Sequence, residues 1–313
     1  MHGPVIAGVN GSAESLAAAE WAAREAARRD RSLRLVHVGN RHSRRSDGGS
    51  FPKRPAARQE AAAPGAAERH LARRVLREAE QRARRAVPGV RVTGEPVEGT
   101  ATAALLKAAE QAAVLVLGSR GLSGVAGFLV GSVALGVVAR ATGPVVLVRM
   151  GEDNEDDHVP AAYDGPPART GHRDVVLGLD VADPCDEVIE FAFEAARLRK
   201  ARLRVVYAWQ PPSALGLGPG DIALVNDPYR AQEWRGFLSA VLQVWRDKYP
   251  EVGILETVVR EKASTALVRA AFGARLLVVG RHLADRPVRV RTGPVTHAVV
   301  HHVRCPVAVV PHR

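Results

Sequence analysis

The stretch GSRGLSGVAGFLVGS, residues 118–132, has the composition of a ligand-binding turn between a buried strand and a helix. Before it lies AVLVL, residues 113–117, an apolar run typical of a parallel strand covered on both faces. After it, Ser132 is suited to cap a helix in which Val133 is among the buried positions. Glycines such as Gly118 and Gly131 are expected to adopt positive φ and to let a ligand approach the main chain. The sequence therefore predicts a strand, an anion-binding loop and a helix in that order.

The spacing of these glycines is more specific than their number. Gly118 is followed after two residues by Gly121, and after nine more by Gly131 and Ser132. This pattern resembles the G-2x-G-9x-G-[S/T] signature of the universal stress protein family, in its ATP-binding branch. The run GPVVLV, residues 143–148, is also similar to that family.

The chain contains an internal duplication. The run VIAGVN, residues 5–10, aligns with VVLGLD, residues 175–180. Further along both copies, Gly118 aligns with Gly280 and Gly131 aligns with Gly293. Repetition of this kind predicts two similar domains, here residues 1–150 and 174–313. The acidic and then proline- and glycine-containing residues 151–173 are expected to be a linker.

Alternating strand and helix patterns predict the fold class of both copies. Apolar strand-like runs in the first copy alternate with helix-like segments, which favours a parallel sheet covered by helices on both faces. The family resemblance implies two tandem doubly wound α/β domains with an adenine-nucleotide-hydrolase-like fold. Each would contain a five-stranded parallel sheet in the order 3-2-1-4-5. Ligands of such sheets bind beyond the strand carboxyl ends, where the order reverses.

The resemblance also implies a set of ATP-binding residues in the first domain. It places the adenine against Gly8, Val9, Asn10 and the main chain at Val38. It places the phosphates against Gly118, Arg120, Gly121, Gly131, Ser132 and Val133. The family usually carries an acidic residue where Asn10 stands, and an amide contributes no charge toward a metal ion. Binding of ATP with or without Mg²⁺ therefore stays open.

The second domain departs from the same motif. Leu283 stands where the motif has glycine, and Pro294 stands where it has serine or threonine, so an amide donor and a hydroxyl are both lost. Weaker, altered or absent nucleotide binding is expected there. Arginines at 281, 286, 289 and 291 offer charge instead. The corresponding candidate residues are Leu179, Asp180, Gly280, Arg281, Gly293 and Val295.

Composition narrows the possible classes of protein. The 313 residues carry a net charge of +11, mostly from arginine, with only 4% aromatic residues. The basic region 41–91 contains only Phe51 to stack on a base, so a solvated face is favoured over nucleic-acid binding.

His297 and His301 are spaced for a shared helix face but lack an evident third metal ligand. Cys185 and Cys305, in no CxxC pair, favour a reducing cytoplasm over a disulfide framework. We find no signal peptide and no membrane-spanning apolar run.

These patterns together predict a function. No GxSxG elbow, P-loop lysine or GxGxxG motif is found, so an enzyme is not expected beyond slow ATP hydrolysis. The resemblance implies an ATP-binding, nucleotide-responsive regulator of a stress response, acting on an unknown protein partner. A nucleotide-independent scaffold and a basic nucleic-acid-associating protein remain the alternatives. The fifth strands, residues 145–149 and 307–310, are expected to pair in an intramolecular pseudo-dimer, with further homodimerisation left open.

Overall fold

A computed structural model describes residues 3–39, 64–119, 130–150, 174–210, 228–283 and 292–313. The described residues divide into two compact units. The first unit is formed by residues 3–119 and 131–150, and the second mainly by residues 174–313. The predicted linker, residues 151–173, lies outside the described residues, as do residues 40–63 and 211–227.

The first unit contains a parallel sheet whose successive strands are connected by helices. Its strand order is β3-β2-β1-β4-β5, which confirms the predicted 3-2-1-4-5 order. The elements are β1 (Val5–Gly8), α1 (Ala13–Arg28), β2 (Leu33–Gly39), α2 (Pro64–Ala86), β3 (Val92–Glu98), α3 (Ala101–Gln111), β4 (Val114–Ser119), α4 (Ser132–Val138) and β5 (Val145–Arg149).

The second unit repeats this arrangement, with the strand order β8-β7-β6-β9-β10. Its elements are β6 (Val175–Gly178), α5 (Asp186–Leu198), β7 (Leu203–Trp209), α6 (Pro228–Lys248), β8 (Ile254–Arg260), α7 (Ala263–Ala270), β9 (Leu276–His282), α8 (Pro294–His302) and β10 (Val307–His312). The doubly wound fold predicted for both copies is therefore confirmed.

The central strands owe their positions to apolar residues on both faces. Val114, Leu115 and Val116 of β4 are completely buried, as expected for a strand inside a doubly wound sheet. The edge strand β3 is largely exposed, and it carries Pro96 and two glutamates, residues that discourage pairing with another chain. A strand of continuous apolar residues therefore lies inside the sheet, and a strand rich in polar residues lies at its edge.

Small residues let α1 lie close to the sheet. The alanines at positions 18, 19, 22, 23 and 26 are fully buried on one face of this helix. Ser12 caps the helix, because its hydroxyl oxygen accepts a hydrogen bond from the Ser15 amide at 3.3 Å. Residues 10–12, which the sequence NGS also predicts to be a capping turn, therefore bring the start of α1 to the carboxyl end of β1.

No described helix is long and apolar enough to cross a membrane.

Candidate functional site

The candidate site of the first unit lies at the carboxyl ends of β1, β2 and β4. Gly8, the last residue of β1, is level with Val36 of β2 and with Leu117 of β4. Val9 and Gly118 come next on their strands and therefore lie at the edge where the strand order reverses. Gly8, Val9, Asn10, Val38 and Gly118 are brought together there, as the sequence predicts for a switch-point crevice.

The main chain of Val38 faces this crevice. The Leu33 amide donates to the Arg91 carbonyl on the β3 side at 2.8 Å, whereas the Val36 carbonyl accepts from the Val9 amide on the β1 side at 2.9 Å. Neighbouring residues of a strand direct their hydrogen-bonding groups to alternate sides. Val38 therefore directs its amide and carbonyl toward the β1 side, two residues beyond the end of that strand. A ligand there would find one donor and one acceptor side by side.

His37 is a crevice residue that the sequence analysis missed. Its ring is buried, and Nδ1 lies 2.8 Å from the carbonyl oxygen of Val9, to which it donates a hydrogen bond. This bond ties the end of β2 to the end of β1. The available signal was a histidine inside the otherwise apolar end of the strand LRLVHVG, residues 33–39.

The side chain of Asn10 is used to build the turn after β1. Its Oδ1 accepts a hydrogen bond from the Ser12 amide at 3.0 Å. In the second unit, Asp180 Oδ1 accepts one from the Ala182 amide at the same distance. Asparagine and aspartate are therefore interchangeable for this turn, and they differ in the charge that they present to the exposed crevice.

Two of the predicted site glycines have packing roles. A Cβ at Gly118 would lie 2.5 Å from the main-chain oxygen of Glu14, so glycine is required for α1 to approach β4. A Cβ at Gly8 would lie 2.7 Å from a methyl group of Leu117 and 2.9 Å from one of Leu105. The expectation of positive φ at Gly118 is wrong, because this residue lies within the extended strand β4, which ends at Ser119.

The start of α4 differs from the prediction in three details. The φ of Gly131 is −61°, so the expectation of positive φ there is wrong. Gly131 is the N-cap and Ser132 is the first helical residue, so Ser132 does not cap the helix. Val133 is 36% exposed and is not a core position. The amides of Ser132 and Val133 lie in the first turn, where no helical carbonyl precedes them. Arg120 and Gly121, the other predicted phosphate ligands, lie outside the described residues.

The equivalent crevice of the second unit is a cavity of about 480 Å³. It lies within the size range of small-molecule sites. Four of the six residues predicted for this domain line it, namely Leu179, Asp180, Gly280 and Val295. Aromatic side chains from β7 and α6 also line it, namely Tyr207, Trp209 and Trp234.

Arg281 and Gly293 are not among the described residues that line this cavity. The Arg281 side chain is buried in β9, and burial lowers the pKa of its guanidinium from the ordinary value. Arg286, Arg289 and Arg291, predicted to offer charge beside it, lie outside the described residues.

The histidines of α8 do not form a metal site with other described residues. The rings of His297 and His301 are 4.5 Å apart, centroid to centroid. Among the residues described, no group of three or more histidine, cysteine, aspartate or glutamate side chains is arranged to hold a metal ion. Cys185 and Cys305 are both buried, and neither forms a disulfide.

The fold defines a class, a tandem α/β protein in which each unit has a sheet edge where the strand order reverses, and in the second unit a ligand-sized cavity lies at that edge. A family model described as the universal stress protein family matches residues 1–149 and again residues 171–311. The chain belongs to the universal stress protein family.

Relatives and solved structures agree with this assignment. Universal stress protein Rv1996 of Mycobacterium tuberculosis is 32% identical over 97% of this chain and 94% of its own length. Universal stress protein Rv2005c of the same organism is 31% identical over 98% of this chain and 96% of its own length. The crystal structure of a universal stress protein from Archaeoglobus fulgidus shares the fold, with a TM-score of 0.67, 17% identity and 98% of each chain covered.

Proposed function

We propose that the first unit binds ATP in the crevice at the carboxyl ends of β1, β2 and β4. The base would lie against Val9, Asn10 and the main chain of Val38. The phosphates would lie against Gly118 and the start of α4 at Gly131, Ser132 and Val133, with Arg120 and Gly121 of the connecting loop completing the site. The intact G-2x-G-9x-G-[S/T] spacing supports this assignment.

The main chain of Val38 supports recognition of the base. An amide and a carbonyl that face the same side offer a donor and an acceptor to the edge of a planar heterocycle. The hydrogen bond between His37 and the Val9 carbonyl fixes the separation of the two strand ends that the base would contact. Hydrogen bonds of this kind confer specificity because a mismatched ligand leaves polar groups unpaired.

The open space above Gly131 is the observation that carries the proposal. A Cβ at this position would meet no atom of the described residues within 4 Å, and the φ of −61° is accessible to any residue. The fold of the first unit therefore does not itself require glycine there. A phosphate group that must approach the amides of Ser132 and Val133 would require it, because a side chain would occupy its place.

We further propose that the protein acts as a nucleotide-responsive regulator of a stress response in the cytoplasm, with at most slow ATP hydrolysis. ATP would change the protein by binding one conformation of the first unit more tightly than another. We also keep as a proposal, on the apolar sequences of Val145–Arg149 and residues 307–310, that the fifth strands pair in a pseudo-dimer.

A Gly131→Asp variant tests the ATP site. Aspartate is a favourable N-cap residue and would meet no described neighbour at position 131, so the helix is retained while a carboxylate opposes phosphate. Gly293→Asp is the matched control, because Gly293 is also an N-cap and a Cβ there would likewise meet no atom of the described part of the chain within 4 Å. Calorimetry should register ATP binding to the unmodified protein and to Gly293→Asp, and at least a tenfold loss in Gly131→Asp.

Two results would contradict the proposal. Equal ATP affinity in the unmodified protein and Gly131→Asp would remove the start of α4 from the site. Absence of heat, with no change of Tm at millimolar ATP, would favour the nucleotide-independent scaffold. Native mass spectrometry of protein purified without added nucleotide supplies an independent measurement of retained ATP.

A further inference from the structure

We propose that the cavity of the second unit binds an uncharged purine nucleoside and excludes nucleoside triphosphates. This inference goes beyond the ATP site because it concerns a separate crevice with different side chains. Three features of the cavity carry it: the main chain at the end of β7, an aromatic wall, and the altered phosphate side.

The main chain of Ala208 offers the base an adjacent donor and acceptor. The Leu203 amide donates to the Gly253 carbonyl on the β8 side at 2.8 Å, and the Val206 carbonyl accepts from the Leu179 amide on the β6 side at 3.1 Å. By the alternation of the strand, Ala208 directs its amide and carbonyl to the β6 side, beyond the end of β6. A purine edge with one acceptor next to one donor complements this pair.

An aromatic wall lines the cavity of the second unit. Tyr207 and Trp234 have ring centroids 5.1 Å apart, and Trp209 lies two residues further along β7. The duplication aligns Tyr207 and Trp209 with His37 and Gly39 of the first unit. Stacking of a base on an aromatic side chain is worth about 1–3 kcal/mol. At these two positions the second unit has tyrosine and tryptophan, whereas the first unit has an imidazole bonded to the Val9 carbonyl and a glycine.

The opposite side of the cavity suits the same ligand. This side is lined by Ala263 and Leu267 of α7 and by Val295 of α8. The helices on the other face of the sheet contribute Val188 of α5 and Trp234 of α6 to the lining. Aliphatic side chains on one side and aromatic ones on the other form a slot for a planar group. The volume of about 480 Å³ accommodates a bicyclic base with a sugar.

The phosphate side differs from that of the first unit in its backbone. Pro294 begins α8 and supplies no amide, whereas Ser132 supplies one in α4. The first helix of the second unit, α5, also begins later after its strand than α1 does in the first unit. It begins at Asp186, eight residues after Gly178. Helix α1 begins at Ala13, five residues after Gly8. The amides at the start of α5 are therefore displaced along the chain from the position that those of α1 have in the first unit.

Beside Gly280 in β9, side chains lie where the first unit has the main chain of α1 beside Gly118. A Cβ at Gly280 would lie 2.9 Å from the His312 ring and 3.3 Å from Val188, whereas Gly118 faces the main chain of α1. Asp180 and Asp183 add negative charge to the lining, and Arg230 is the single arginine among the described lining residues. From the described lining, a tetra-anionic triphosphate would meet two carboxylates and a helix that begins with Pro294, which has no amide to donate, whereas an uncharged nucleoside avoids the repulsion.

Tryptophan fluorescence of the full chain tests the proposal, because two of its four tryptophans, Trp209 and Trp234, line the cavity. Titration with adenosine should produce a saturable change, and ATP should produce that change at least tenfold more weakly. Ala263→Phe and Val295→Phe place a ring into the cavity from half-buried positions on two different helices, and each should weaken the adenosine response at least tenfold.

Thr265→Phe is the control, because it adds the same bulk at an exposed position of α7 outside the lining. Its adenosine response should equal that of the unmodified protein. A missing saturable change at millimolar adenosine, or an equal response in the two cavity variants and the control, would overturn the proposal. An ATP response as strong as that of adenosine would also overturn it. Gly131→Asp should leave the adenosine response unchanged, so failure here is distinguishable from failure at the ATP site.

Discussion

Gly118 at the end of β4 lies directly against the main chain of Glu14 in the first turn of α1. A Cβ at position 118 would lie 2.5 Å from the Glu14 carbonyl oxygen and 2.6 Å from its carbon. Both partners are main chain, so neither can rotate away from an added methyl group. The first glycine of the nucleotide motif therefore serves the packing of the helix on the sheet in addition to any contact with ligand.

Gly118→Ala should lower the free energy of unfolding by about 1–3 kcal/mol, since overpacking at a rigid contact forces the main chain to move. Gly280→Ala should cost less, because the added methyl group meets the ring of His312 and a methyl group of Val188, which are side-chain atoms. Gly131→Ala should be close to neutral. Urea denaturation of the three variants measures this order, and an equal loss in all three would contradict it.

His37→Ala should weaken both stability and nucleotide binding. The substitution leaves the buried Val9 carbonyl without its side-chain donor, at a cost of about 1–3 kcal/mol. It also frees the ends of β1 and β2, between which the base would bind. Urea denaturation and ATP calorimetry measure the two effects. His70→Ala, at an exposed position of α2, is the control, and equal results for the two variants would count against the role of His37.

The overall topology could be predicted from the sequence because it depends on patterns repeated along whole segments. Continuous apolar runs mark the buried strands, and the matches of residues 5–10 with 175–180 and of Gly118 with Gly280 mark the duplication. The turn at Asn10 and Ser12 was also predictable, since such side chains bond to the main chain a few residues away.

The details of the site could not be predicted, because they depend on contacts between distant segments. Gly118 has extended geometry because α1 approaches it, and a motif alone does not distinguish close packing from positive φ. Residue type favours Ser132 as the N-cap, yet the helix begins at Ser132 itself, so that Gly131 is the N-cap. The sequence predicts that Arg281 offers positive charge to a ligand, but its side chain is buried at its position in β9.

Glu25→Ala should destabilise the first unit strongly. Glu25 is 1% exposed and lies 2.6 Å from the Nε of Arg29, which is 9% exposed. The substitution removes a buried carboxylate that Arg28 also approaches, at 3.8 Å, and breaking a buried ion pair costs about 3–5 kcal/mol. Glu20→Ala removes the partner of Arg82 at a more exposed site and should cost about 1 kcal/mol or less. Thermal unfolding of both variants checks the difference, and equal losses would show that burial does not strengthen the pair.

ATP affinity should depend little on Mg²⁺. The Asn10 side chain carries no charge, and its oxygen already accepts the Ser12 amide. Asn10→Asp keeps this turn, as Asp180 shows, and adds the carboxylate that a Mg²⁺ ion prefers. Calorimetry with Mg²⁺ and with EDTA should show a larger Mg²⁺ effect in Asn10→Asp than in the unmodified protein. Asp180→Asn is the control and should leave ATP binding unchanged. A strong Mg²⁺ requirement in the unmodified protein would contradict this prediction.

The Cys185 thiol should react slowly with iodoacetamide at neutral pH. Burial raises its pKa above the ordinary value, and the hydrogen bond that Sγ donates to Glu187 at 2.8 Å raises the pKa further. The thiolate is the reactive species, so the rate should increase only as the pH rises toward this raised pKa. Peptide mapping by mass spectrometry distinguishes Cys185 from Cys305.

Glu187→Ala should move the midpoint of the Cys185 alkylation profile to lower pH, because the carboxylate that stabilises the protonated thiol is removed. Glu190→Ala on the same helix is the control, since Glu190 is paired with Lys248 on the surface and should leave the midpoint unchanged. Equal midpoints in both variants would show that the hydrogen bond to Glu187 does not govern the thiol. Because Cys185 lines the cavity of the second unit, saturating adenosine should also slow its alkylation, and in Ala263→Phe this protection should be lost.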